Sequence, residues 1–196
     1  MSTFDSLPNE LILMIFDYLS SLDLCETFFH FPNMRFRRLL FAKRHTFMPS
    51  SLRFTAMTAL LDPTNDLLMR CFMSLIDTLV LDDSLASMMF VDYFQIKLRD
   101  NPSFDIWQQS IRRLVVLNTD RYMYDLVQPL MLSLTMGNGS LQRMHLVFES
   151  TDNVYWSVLR RLVSCRVSVH TMVLDVRRGR SWTSLQDWHP VLRVIR

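Results

Sequence analysis

The chain has 196 residues, of which 49% are apolar and 20% charged, with 14 Phe and 14 Met, so it has to bury a core; a disordered chain or a coiled coil is excluded. Its only glycines, Gly137, Gly139 and Gly179, argue against a turn-rich β-sandwich and against a glycine-cradled phosphate site. A formal net charge of +2 is too small to make nucleic acid or an anionic membrane the default partner.

In chain order, the first 33 residues carry five acids (Asp5, Glu10, Asp17, Asp23, Glu26) and no Lys or Arg, and Arg35, Arg37, Arg38, Lys43 and Arg44 follow directly. Ser6 is placed to cap a helix that starts at Leu7 or Pro8, where a missing N–H costs nothing. Ile12, Ile15, Phe16 and Leu19 then recur at helical spacing. Ser21 is placed to cap a second helix with Leu24, Thr27, Phe28 and Phe31 on one face, ending near Pro32. Asn33 is placed to cap a third, with Phe36, Leu39 and Leu40 as its stripe. Three such short helices make a very small core, so the module needs a further surface to pack on.

The run FDSLPNELILMIFDYLSSLDL resembles an F-box, whose pattern is LPxELLLxIFxYLxxxDL; Leu7, Pro8, Glu10, Leu11, Leu13, Ile15, Phe16, Tyr18, Leu19, Asp23 and Leu24 match. Where the family has Val-Cys-x-x-Trp, this chain has Phe28 to Phe36, with Phe36 at the tryptophan's place after an insertion of about two residues. The resemblance covers Phe4 to Leu40. It implies docking to the Skp adaptor of a cullin-based ubiquitin ligase, with Leu7, Pro8, Leu11, Ile15, Phe16, Leu19 and Leu24 as the adaptor-binding residues. The other reading is an amphipathic hairpin packed on the chain's own core.

Beyond a connector with Pro49, a helix over Leu67, Leu68, Cys71, Phe72 and Leu75 is expected after Pro63, Thr64 and Asn65. Four segments then share the pattern Φ-x-x-Φ-x-Φ, starting at Ile76, Ile111, Leu141 and Val169 and spaced by 35, 30 and 28 residues. Each reads as a strand, and the stretches Met88 to Leu98, Tyr122 to Leu134 and Tyr155 to Cys165 read as helices between them. Strand–helix alternation at this period predicts an α/β fold with parallel strands. The region resembles a degenerate leucine-rich-repeat array, with Asn118 as the one candidate for the family's repeat asparagine; an ordinary parallel α/β sheet gives the same alternation. The expected organisation is therefore an F-box module at 1–45, a helical connector and N-terminal cap at 46–75, and a repeat-like region at 76–196. That region ends at His189 to Arg196 without a polar cap, which predicts an array incomplete at its C-terminus with an open edge prone to self-association.

Chemistry-bearing patterns are sparse. Cys25, Cys71 and Cys165 lack CxxC or ligand spacing and read as reduced thiols, and the five histidines show no metal-ligand spacing. No G-x-S-x-G elbow or Walker loop occurs, so no enzyme and no cofactor is expected. The basic Arg177, Arg178 and Arg180 beside Trp182 read as a solvated loop, and nucleic acid is not expected as a partner. No leader or membrane-spanning segment is evident, which places the protein inside the cell, in the cytoplasm, the nucleus or both.

The function expected is a substrate-recognition adaptor of the ligase. The alternative is a ligase-independent binding scaffold. If the Φ residues face the core, the alternating positions form an open strand face. Its middle row is Val80, Val115, His145 and Val173, and Arg113 and Arg143 flank it. An apolar centre with a polar rim is the anatomy of a protein-binding patch, and these six are the candidate residues for an unidentified protein substrate.

Overall fold

The computed structural model describes residues 4–28, 33–43, 45–62, 66–100, 110–135, 141–164, 169–177 and 192–193. Three helices come first: α1 (Asn9–Asp17), α2 (Ser21–Phe28) and α3 (Met34–Ala42). A short strand β1 (His45–Phe47) and helices α4 (Phe54–Leu60) and α5 (Asp66–Leu75) lead to the alternating part. That part runs β2 (Ile76–Leu81), α6 (Leu85–Asp100), β3 (Arg113–Val116), α7 (Arg121–Thr135), β4 (Arg143–Phe148), α8 (Asn153–Ser164), β5 (Thr171–Val176) and β6 (Leu192–Arg193). The fold is mixed α/β, a helical region followed by strand–helix units, as the alternation predicts.

Local chemistry explains the helix starts, and corrects two expected caps. Pro8 is extended (φ −55°, ψ 151°), so α1 begins at Asn9, and no side chain caps it; its first turn is closed by Ile12 N–H donating to the Pro8 carbonyl at 3.2 Å. Ser6 belongs instead to a 3-10 turn over Phe4–Ser6. At α2 the cap is Ser20, not Ser21. Asp23 N–H donates to Ser20 Oγ (3.1 Å) while Ser20 N–H donates to Asp23 Oδ2 (3.3 Å), a reciprocal capping box. Asn33 caps α3 as expected, accepting from Arg35 N–H at 2.9 Å. On α2 the buried residues are Leu22, Leu24, Cys25 and Phe28; Thr27 is exposed and Phe31 lies outside the described residues. Helix α7 runs through Pro129, whose ring is exposed.

Strands β1 to β5 are parallel and lie in sequence order across the sheet. Strand β1 was not foreseen: its three residues are too few to show periodicity, and a register shift between His45 and Thr46 places Asp77 as the extra residue opposite them. At β5, Leu192–Arg193 pair antiparallel with Val173 and Leu174, so two positions of the expected open edge are occupied.

Burial shows where the helices sit. Leu79, Leu81, Leu114, Val116, Met144, Leu146, Phe148 and Leu174 share one core with Phe90, Phe94, Met123, Val127, Leu130, Tyr155, Val158 and Leu162 of the helices. The alternating positions Thr78, Val80, Val115, His145, Thr171 and Val173 are half-buried and Arg113 and Arg143 exposed. Helices thus cover one sheet face, which a monotone strand order with crossovers of one hand requires. The same core continues into the helical region through Phe47, Phe36, Phe28, Leu24, Phe16 and Ile12. No described helix is long and apolar enough to cross a membrane.

Candidate functional site

Helix α1 is apolar through six consecutive positions, Leu11 to Phe16, so it cannot turn all of them toward one core. Ile12 and Phe16 are buried, with Leu19 half-buried against them. Leu11, Met14, Ile15 and Tyr18 share a second stripe about a third of a turn away. Of these Ile15 is half-buried, and Leu11, Met14 and Tyr18 are 45%, 54% and 88% exposed. Pro8 is exposed and Leu7 half-buried at the same end. Contiguous exposed apolar surface is common at interaction sites.

The charge partition between the first two helices and the third fixes how this stripe is presented. Arg35, at the start of α3, donates to Asn9 Oδ1 (2.7 Å) and to the Leu7 carbonyl, and Lys43, just past its end, pairs with Asp17. Helices α1 and α3 therefore run side by side in the same direction, clamped at both ends. Among the adaptor-binding candidates, Pro8, Leu11 and Ile15 reach the outer surface, and Leu7 and Leu19 flank it. Phe16 and Leu24 are 1% and 0% exposed and act by shaping the module from within. Neither Met14 nor Tyr18 is among the adaptor-binding residues expected from the sequence, although Met14 lies in the unbroken apolar run and Tyr18 matches the motif.

On the sheet, pairing sets the candidate substrate residues in rows. Val80 pairs with Val115, Val115 with His145 and His145 with Val173; below them Thr78, Arg113, Arg143 and Thr171 form the next row. His145 Nε2 lies 2.6 Å from Asp175 Oδ2 on the neighbouring strand, one row along, and both side chains are mostly buried. Val147, in the row of Asp175, is fully buried yet stands outside the helix-side core, so this face has packing of its own.

At the far ends of the strands, a hollow of about 180 Å³ is lined by Asp83, Asn118, Asp120, Glu149 and Asp152 among others. Three of its carboxylates, on Asp83, Asp120 and Asp152, serve the fold. Asp120 accepts from Met123 N–H (2.6 Å) at the start of α7, and Asp152 accepts from Val154 N–H (2.8 Å) at the start of α8. The Ser150 hydroxyl and the α8 amides together hold the Asp152 carboxyl below its ordinary range. Asn118 adopts φ 54°, which asparagine tolerates. It donates to Asp83 (3.2 Å) and accepts from Arg177 (2.7 Å), tying three units together. Beneath the first of these loops, burial would raise the Asp82 carboxyl, but hydroxyls of Ser50, Ser84 and Ser87 outweigh it and hold the group below its usual range. Among the described residues no group of three or more His, Cys, Asp or Glu is placed to hold a metal.

Compared with known proteins, the chain matches no family model, no curated protein and no solved structure.

Proposed function

We propose that this chain is a substrate-recognition adaptor of a cullin-based ubiquitin ligase, with the F-box-like helices docking the Skp adaptor and the open sheet face holding a protein substrate. The observation that carries this reading is the second apolar stripe of α1, in which Leu11, Met14 and Tyr18 stand exposed beside half-buried Ile15. It falls inside the segment that resembles an F-box. The repeat-like array supports the other half of the reading, because the core helices pack on one sheet face and the other carries exposed Arg113 and Arg143 beside a half-buried row of valines.

A second reading, a ligase-independent scaffold, is favoured by one specific observation: the core runs without a break from Ile12 to Leu174, so the three helices also close the N-terminal end of the sheet. Co-purification separates the two. Removing residues 1–45 would open that shared core, so the informative variant is Leu11→Asp with Met14→Asp, which changes surface alone. Under the ligase reading the wild-type chain brings down the Skp adaptor and cullin, and the double variant, folded by circular dichroism, brings down neither. Failure of the wild-type chain to retain the adaptor overturns the ligase reading.

A further inference from the structure

The sheet face opposite the core helices is electrically asymmetric. Arg113 and Arg143 stand directly opposite each other on adjacent parallel strands, a separation of about 4.8 Å. Both side chains are exposed, and among the described residues no acid or carbonyl pairs with either guanidinium. Like charges placed side by side on neighbouring strands repel, and an anion between them removes that repulsion. Two guanidinium forks on a common face also match the geometry of carboxylate oxygens. Two residues further along each strand, about 7 Å away, lies the row of Val80, Val115, His145 and Val173, three valines with one histidine among them. Beyond that row the charge reverses, but Asp175 is already held by His145. Among the described residues, the face therefore offers one unpaired cationic pair, a row of three valines and a histidine, and a negative far end.

We propose that this face takes a peptide segment carrying adjacent acidic and apolar side chains, its carboxylate seated between Arg113 and Arg143 and its apolar side chains on the valine row. A basic segment meets repulsion at the arginine end, so the face selects by charge as well as by apolar contact. The proposal deepens the substrate half of the function proposed above and is independent of the ligase half, which is read out on α1.

The test uses the full-length chain and two fluorescein-labelled synthetic peptides, Gly-Glu-Glu-Leu-Val-Leu-Gly and its counterpart with lysine in place of both glutamates, followed by fluorescence anisotropy. The acidic peptide is expected to bind at least about tenfold more tightly, with the advantage shrinking as salt is raised. Arg113→Glu with Arg143→Glu should invert the preference, and Arg113→Gln with Arg143→Gln should abolish it; the glutamine pair keeps the test decisive if the reversed pair does not fold. Replacing Leu-Val-Leu by three serines should weaken binding of the acidic peptide. Equal binding of the two peptides, or a preference that survives both pairs of substitutions, overturns the proposal. Displacement of the acidic peptide by inorganic phosphate at equal concentration overturns it too, since the face would then be a plain anion site. None of these outcomes alters co-purification with the Skp adaptor, so failure here leaves the ligase reading standing.

Discussion

Two residues two positions apart on α1 should behave oppositely when truncated. Phe16 is 1% exposed and Met14 54%. The Phe16 ring lies 4.9 Å from that of Phe28, which in turn lies 6.0 Å from Phe36, so Phe16→Ala removes one member of a ring cluster joining all three N-terminal helices. Emptying a fully buried phenylalanine site costs about 3–5 kcal/mol, a large share of the roughly 5–15 kcal/mol by which a domain is stable. At this chain length each kcal/mol shifts the thermal midpoint by about 2–4 °C, so the midpoint should fall by roughly 6–20 °C. Met14→Ala should stay within about 0.5 kcal/mol of wild type. The assay is urea and thermal unfolding followed by circular dichroism. Because the core is continuous from Ile12 to Leu174, Phe16→Ala should lower one transition for the whole chain rather than split off an early one. A loss below about 1 kcal/mol for Phe16→Ala, or two separated transitions in the wild-type chain, would refute the shared core.

His45 is buried, and its Nε2 has no hydrogen-bond partner among the described residues. Burial first, and Lys43 second, hold its imidazole below the ordinary 6.5, against a hydrogen bond to Leu40 and the charges of Asp17 and Asp77. The unfolded chain therefore binds a proton near pH 6.5 that the folded chain refuses, so stability should fall as pH drops below that value. Urea titrations on either side of it check this, and a pH dependence unchanged in His45→Gln would contradict it. Pro129→Ala should stabilise the chain by as much as about 3 kcal/mol, the interior-proline penalty; thermal unfolding reads the gain, and no gain means that the neighbouring turns already absorb the penalty. Cysteine at position 115 should react readily with a bulky thiol reagent and cysteine at position 114 hardly at all, because the two side chains point to opposite sheet faces; equal slowness at both would mean that the face is covered.

The Φ-x-x-Φ-x-Φ pattern made the sheet legible because its spacing records which side of each strand meets the helices. The rows drawn from Val80, Val115, His145 and Val173 hold in the register even though three strands begin two residues later than their patterns do: Ile111, Leu141 and Val169 lead into the sheet rather than pair within it. What escaped was structure written in too few residues or in distant ones. Strand β1 has three residues, and its irregular pairing opposite Asp77 leaves no alternation to read. The choice of Ser20 over Ser21 as a cap depended on the carboxylate of Asp23 reaching back, which spacing alone does not settle between adjacent serines. The outward stripe of α1 was half legible: Leu11 and Ile15 emerged from the motif, but only burial separates them from Phe16. The bond between His145 and Asp175 spans 30 residues of sequence and becomes visible only with the strands in place.

Tyr18, 88% exposed at the end of the outer stripe of α1, reports directly on the proposed docking of the Skp adaptor there. Tyr18→Cys should react quickly with a bulky maleimide in the free chain, above the background set by the native cysteines. Saturating purified Skp adaptor should slow that reaction at least about tenfold, as burial in a protein interface does. A control cysteine at Thr58, exposed on α4, should react at the same rate with and without adaptor. An unchanged rate at position 18 in the presence of excess adaptor would contradict the docking account.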